Sequence, residues 1–456
     1  MFTYIKLTNF MSFKDTIFHF RNGKKCAKKF IAVYGENGSG KSNFVTSIDF
    51  LVTSIYSMEF MGQADKLDRI LADARKAAPW MDGNEEVYEA LRRLVYIDQY
   101  MLTNRMLECS EPTTIEYGFL LNGHEGVYKI TFDERFRSES LYYFTGKQSG
   151  IVFEVDHDGK KINTHFAGAL FRNKKTVEDF KDEIEKYWGK HTFFSILRKE
   201  CREKNEDYIK SNVLSHVIDV LNMFEEIVVH YKKKDSVFQS GSYRTDYLVS
   251  DLESGKIPIK EEGKLIRSEA IIRDFLTQTY ADIKDVCYDI RQRDNQLEYC
   301  LTVKKMIGGK LRSVRCFDES AGTRRIIEMI PSILGVFCGH VVVYDEIDDG
   351  IHDLLLDRIL NSMEDEITGQ LIITTHNTLL LESMNIKSAY VIQVDLNGNK
   401  TVRSLDEFPR IQGSNNPRRM YMKGLFGGIP IIDSIDYDEI LMEIHDGNQN
   451  LHRSTK

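Results

Sequence analysis

The sequence predicts an α/β protein built around a phosphate-binding loop, and three observations carry that prediction. The apolar run Phe30-Ile31-Ala32-Val33-Tyr34 leads straight into Gly35-Glu36-Asn37-Gly38-Ser39-Gly40-Lys41-Ser42. That octad satisfies every fixed position of G-x-x-x-x-G-K-[ST]. A second apolar run, Val341-Val342-Val343-Tyr344, ends in the acids Asp345-Glu346, and a third, Gln370-Leu371-Ile372-Ile373-Thr374-Thr375, ends at His376-Asn377. Short apolar runs without alternation mark strands buried on both faces of a parallel sheet. Ligands in such sheets gather at the carboxyl ends of the strands.

The segment Ile5 to Asp15 reads as an opening strand, and residues 30–34 as the buried strand before the loop. Ser42 to Ser54 carries apolar residues at helical spacing, so strand, glycine loop and helix follow one another. Gly35, Gly38 and Gly40 let the backbone turn and bring its N–H groups toward phosphate oxygens, and the helix N-terminus adds positive potential. Lys41 would reach the β- and γ-phosphates and Ser42 would ligate Mg²⁺. Asn37, Ser39 and Asn43 complete the candidate nucleotide-binding set, which calls for ATP and Mg²⁺ as cofactors.

Gly62 to Cys109 is mostly helical in pattern. Thr114 to Gly168 alternates apolar and polar residues around the turn signals Asn122-Gly123 and Asp158-Gly159, which predicts an antiparallel sheet flanking the nucleotide core. From about Asn173 to Asp289 charged helical stretches dominate (177–188, 194–205, 213–230 and 269–288), with a loop at 240–255. Sustained heptads are absent, which favours a compact helical lobe or stubby hairpin over a long coiled coil. The expected organisation is an N-terminal half at 1–172, a helical insertion at 173–289 and a C-terminal half at 290–456.

In the C-terminal half, Asp318-Glu319-Ser320-Ala321-Gly322-Thr323-Arg324-Arg325 precedes a helical run, Ile326 to Leu334. Small residues there would aim backbone N–H groups at an anion. The alternative is a plain helix cap at Ser320. Asp345 would hold Mg²⁺, and Glu346 would act as general base or orient the attacking water. The bland reading of that pair is a strand running into an acidic turn. His376 reads as a γ-phosphate sensor, although a lone histidine is more often structural.

Glycine loop, signature segment, Walker B strand with adjacent Glu and switch His, in that order, resemble the ABC-type ATPase head shared by SMC and RecF proteins. The resemblance implies an α/β head with a mixed sheet and a flanking antiparallel sheet, interrupted by a helical insertion. It also implies that two heads close around two nucleotides, with Ser320 and Gly322 of one acting on the γ-phosphate held by the other. Ile347-Asp348-Asp349-Gly350 matches the D-loop. The opening residues 5–15, the segments 345–352 and 374–378, and Arg419 to Pro430 resemble the compact SMC-like "AAA family" ATPases of bacteria. Many of these serve phage defence, among them the ATPases of PARIS, AbiL-type and Septu systems, with the PARIS subunit the preferred reading. Heads of this class usually carry Arg where Met11 stands here, and transporter-type signatures carry a glycine where Ala321 stands. Gln99 is a Q-loop candidate only by default.

Composition narrows the partners. The 456 residues are 42% hydrophobic and 29% charged, with a net charge of −8. That balance argues against a DNA-coating surface without excluding a local basic groove. The seven cysteines form no C-x-x-C pair, which points to reduced thiols and a cytoplasmic protein. No apolar run reaches membrane-span length. Lys232-Lys233-Lys234 reads as a solvated helix end or a contact for nucleic acid. Arg410, Arg418, Arg419 and Lys423, near Tyr421 and Phe426, read as a core or intersubunit segment. The expected function is an ATP-driven switch of an anti-phage system. It assembles as a homo-oligomer, at least a head-to-head dimer, and holds or releases a toxic effector, a nuclease on another chain, when a phage-encoded trigger is sensed. The rival is a RecF- or SMC-like repair ATPase that clamps duplex DNA. A transporter subunit is disfavoured by the signature and the insertion.

Overall fold

The computed structural model describes residues 1–23, 26–77, 97–231, 247–408 and 416–429. Lys232–Lys234 and Arg410 lie outside the described residues, as does the end of the tail segment at Pro430.

The phosphate-loop strand sits inside a six-stranded sheet. Its strands are β3 (Phe30–Tyr34), β9 (Val228–His230), β14 (Val341–Tyr344), β15 (Gln370–Thr374), β16 (Ala389–Val394) and β17 (Lys400–Ser404), in the order β17-β16-β3-β15-β14-β9. All pairings are parallel except that of β17 with β16. Every residue of β3, β14 and β15 is buried, as the unbroken apolar runs require. In β3, Ile31 and Val33 enter one core while Phe30, Ala32 and Tyr34 enter the other.

A seven-stranded antiparallel sheet lies alongside. It is built of β1 (Phe2–Phe10), β2 (Phe13–His19), β4 (Thr113–Leu121), β5 (His124–Phe132), β6 (Phe136–Phe144), β7 (Ser149–His157) and β8 (Ile162–Phe166). The order is β2-β1-β4-β5-β6-β7-β8. The β4–β5 hairpin turns on Asn122 (φ 51°) and Gly123 (φ 77°), two left-handed residues as a type I′ turn demands. Helix α1 (Lys41–Ala77) runs between the two sheets. Residues 47–55 are all buried because the helix is covered on every side, and of its buried polar residues Ser47, Asp49 and Ser54 are hydrogen-bonded. Phe44 stacks on Phe18 at 4.1 Å and Phe50 on Phe132 at 4.5 Å.

The other helices are α2 (Ile97–Thr103), α3 (Lys174–Tyr187), α4 (Phe193–Glu203), α5 (Glu206–Asn212), α6 (Ser215–Glu225), α7 (Glu262–Thr279), α8 (Ala321–Phe337), α9 (Asp353–Met363), α10 (Leu380–Ser383) and α11 (Pro417–Met422). Apolar residues of α8 and α9 share the second core with β3 and β14. A small antiparallel sheet joins them, with β12 (Gln296–Ile307) pairing β10 (Ser254–Pro258), β11 (Ile283–Arg293) and β13 (Lys310–Arg315).

The segment 173–289, expected to be helical, is mixed. Helices α3, α4 and α6 lay their apolar stripes on the antiparallel sheet, with Phe193 4.5 Å from Phe153 and Phe194 4.9 Å from Tyr128. Buried Glu139 on β6 fastens them. It accepts from Tyr128 Oη (2.7 Å), Trp188 Nε1 (3.1 Å), Phe193 N (2.5 Å) and Phe194 N (3.3 Å). The chain then supplies β9 to the central sheet, where a helix end was expected. It also supplies to the small sheet β10, which begins in the expected loop at 240–255, and β11, which takes the end of the stretch 269–288 read as helical. Three residues of β9 are too few to show a period. Ile283 and Val286 are spaced as on a helix and Val286 and Tyr288 as on a strand, and only the register shift between Ile283 and Asp285 fits all three to the pairing with β12. In the tail Tyr421 and Phe426 are buried and Arg418 pairs with Glu382. No helix among the described residues is long and apolar enough to cross a membrane.

Candidate nucleotide site

The phosphate loop spans the end of β3 and the start of α1. Gly38 (φ 80°) and Gly40 (φ 109°) take backbone conformations that favour glycine. A Cβ on Gly35 would meet Ser39 Oγ at 2.4 Å, and one on Gly40 would meet the Phe13 ring at 2.9 Å. Asn37 and Gly38 are exposed at the crest, whereas Gly35, Ser39 and Gly40 are buried. Lys41 is 5% exposed and its Nζ donates to Gly35 O (2.8 Å) and Glu36 O (3.1 Å). Burial lowers its pKa, against the opposite pull of Glu346, Asp345, Asp348 and Glu36. Asn43 Nδ2 donates to Ser12 Oγ at 2.6 Å, tying α1 to the β1–β2 turn.

Strand β15 separates β14 from β3, so Asp345 and the loop converge from strands one place apart. Ser42 lies close enough to Asp345 to help hold the carboxylate's pKa down. Burial raises the Asp345 pKa, while the hydrogen bond from Thr374, the nearby Ser42 hydroxyl and the charge of Lys41 act the other way. Thr374 joins the two acids: its Oγ1 donates to Asp345 Oδ1 (2.7 Å) and accepts from Glu346 N (2.8 Å). Ile347 N donates to Thr374 O at 3.1 Å. These bonds hold Glu346 at φ 49°, a left-handed conformation that a glutamate adopts at a cost. His376 Nε2 stands 4.0 Å from Glu346 Oε1, and His376 N donates to Asp348 Oδ2 at 3.2 Å.

Thr374→Val keeps the shape of the strand end and removes both bonds, leaving Asp345 Oδ1 and Glu346 N each short of a partner. The expected loss of stability is about 1–3 kcal/mol, read by chemical denaturation. Thr374→Ser should restore most of it.

The donor set suits a magnesium nucleotide. Ser42 and Asp345 offer hard oxygen ligands, the kind Mg²⁺ selects. Ser39 Oγ is buried, with its residue 1% exposed, and has no hydrogen-bond partner among the described residues. A buried hydroxyl without a partner is costly, and a phosphate oxygen at the loop would supply one.

The signature residues are placed differently. Ser320 caps α8, its Oγ accepting from Thr323 N at 3.1 Å and meeting Thr323 Oγ1 at 2.8 Å, which is the capping role left open by the sequence. A Cβ on Gly322 would lie 2.7 Å from Gly350 O, so the start of α8 packs on the D-loop segment of its own chain. Arg324 pairs with Glu253 through two 2.8 Å bonds. Within one chain, Lys41, Ser42, Asp345, Glu346 and His376 converge, while Ser320 bonds Thr323 and Gly322 packs against Gly350. Gln99 is exposed on α2. Met11 is half-buried and packs on the first core, and Lys400 of β17 reaches the loop at Gly38 O. Thr374 and Lys400 were not singled out from the sequence. Nothing local marks either, since Lys400 is 362 positions from the Gly38 carbonyl it touches.

A family model described as "AAA domain, putative AbiEii toxin, Type IV TA system" matches residues 211–382, less than half of the chain. That span holds Ser320, Asp345, Glu346 and His376 and leaves out the phosphate loop. No curated protein matches the chain. Among solved structures, the SMC head domain from Thermotoga maritima is 12% identical with a TM-score of 0.37, covering 88% of this chain and 98% of its own. An Smc head bound to the C-terminal winged-helix domain of ScpA is 14% identical with a TM-score of 0.42, over 89% of this chain and 97% of its own. An Smc head with an extended coiled coil, bound to a ScpA domain derived from Pyrococcus furiosus, is 13% identical with a TM-score of 0.40, over 93% and 98%. Likeness that low carries no functional argument. The strand order and the loop make an α/β P-loop fold, a mixed central sheet with a flanking antiparallel sheet, with helices α3–α6 between β8 and β9 in the chain.

Proposed function

We propose that this chain binds ATP with Mg²⁺, hydrolyses it to ADP and phosphate, and pairs with a second copy in a nucleotide-dependent way. The observation that carries the reading is the Thr374 junction, which fixes Asp345 beside Ser42 and Glu346 beside His376. Mg²⁺ supplies charge neutralisation across the phosphates. Lys41 holds the β- and γ-phosphates, with the loop N–H groups of residues 38–43 around them. Ser42 and Asp345 hold the metal. Glu346 orients the attacking water and accepts its proton. His376 senses the γ-phosphate.

In the pair, Ser320 and Gly322 of each head face the nucleotide of the other. Gly322 rests on Gly350 within its own chain, so a signature engaged by a partner's nucleotide would press on the D-loop segment that follows Glu346. That gives a two-state element biased by the γ-phosphate. We place the output on a separate effector, a nuclease held or released by the ATP state when a phage-encoded trigger is sensed in the cytoplasm. The toxin–antitoxin description of the family matched at 211–382 favours a defence setting and names no separate effector.

The test is a tagged pull-down of Glu346→Gln from its native cell with ATP and Mg²⁺, with mass and nucleic-acid content read together. A stoichiometric second protein without DNA is expected. Bound duplex DNA with no protein partner contradicts the effector reading and favours a repair clamp.

A further inference from the structure

Lys400 opens β17 and reaches the phosphate loop at Gly38, whereas Lys41 bonds to Gly35 O and Glu36 O. Its Nζ donates to Ser12 Oγ at 2.6 Å and to Gly38 O at 3.1 Å. A Cβ on Gly40 would lie 3.0 Å from that ammonium, so the loop is glycine where the cation approaches it. The backbone is pinned as well, because Thr16 Oγ1 donates to Lys400 O at 3.0 Å. The Phe13 ring lies 5.4 Å from the ammonium.

The charge balance around Lys400 is one-sided. Lys41 lies in the field of Glu346, Asp345, Asp348 and Glu36, whereas burial alone acts on Lys400 and lowers its pKa. Its hydrogen-bond partners are a neutral hydroxyl and a neutral carbonyl. A half-buried cation with no counter-charge among the described residues is costly, and an anion brought beside it gains the most. The feature within reach is a loop whose backbone is shaped for phosphate.

We propose that Lys400 is a second nucleotide-contacting cation, pairing with a phosphate oxygen on the Gly38–Gly40 side of the loop. Ser12 positions it: the Ser12 hydroxyl accepts from both Asn43 Nδ2 and Lys400 Nζ and so couples the start of α1 to β17. The inference rests on the reading of the loop as a nucleotide site.

The experiment measures binding of a fluorescent ATP analogue, and of ATP by competition, to the purified full chain. The variants are Lys400→Met, Lys400→Arg and Lys41→Ala, and the unfolding temperature of each is taken without nucleotide. Lys400→Met should weaken ATP binding by about tenfold with the unfolding temperature unchanged, and Lys400→Arg should recover most of the affinity. Wild-type affinity in Lys400→Met, alongside a loss in Lys41→Ala, would overturn this inference and leave the site reading intact. A loss in Lys400→Met that tracks a fall in unfolding temperature and is not rescued by Arg would make the lysine a loop brace, which also overturns it. Wild-type affinity in Lys41→Ala would remove the site reading itself.

Discussion

Glu346→Gln is expected to slow phosphate release by roughly 10²- to 10⁴-fold while leaving ATP affinity within a few-fold of wild type. The amide has the size of the carboxylate and cannot take a proton from water. The backbone around it is held by Thr374, through Glu346 N and Ile347 N, and those bonds do not involve the side chain that changes. The unusual φ of 49° should therefore survive, as should the Asp345–Ser42 contact. Single-turnover hydrolysis and equilibrium binding, measured separately, distinguish lost chemistry from lost binding. Unchanged turnover would place water activation elsewhere.

Lys41→Ala should act on binding instead. The side chain is buried beneath the loop and bonded to its carbonyls, and it offsets the charges of Asp345, Glu346 and Asp348. Removing it takes the principal cation from the phosphates and leaves those acids to repel them. A loss of about 2–4 kcal/mol of nucleotide binding, or roughly 30- to 1,000-fold in affinity, is expected. Lys41→Arg should not restore it, because a planar guanidinium does not fit where a compact ammonium is enclosed. Titration calorimetry on each variant reads the difference.

What the sequence showed and what it hid divide along physical lines. β3, β14 and β15 were legible because strands buried on both faces leave unbroken apolar runs, and the acids and histidine at their ends were legible with them. Asn122-Gly123 announced its hairpin through the backbone it permits. The strand order was hidden, since nothing local says that β15 lies between β3 and β14. β9 was hidden by its length, and the role of Thr374 by its ordinary place in an apolar strand. Lys400 was invisible for the same reason that makes it informative: it meets the loop only through the tertiary fold. Ser320 kept both of its sequence meanings, a cap within the chain and a candidate contact across a pair.

Nucleotide-driven pairing is tested most directly by the mass of Glu346→Gln in solution, with ATP and Mg²⁺ against ADP and Mg²⁺, with and without Ser320→Arg. The expected result is a mass that at least doubles with ATP and not with ADP. It should revert to the monomer value when Ser320→Arg is added, with ATP still bound. A mass that stays the same in ATP and ADP while both nucleotides bind would contradict the switch.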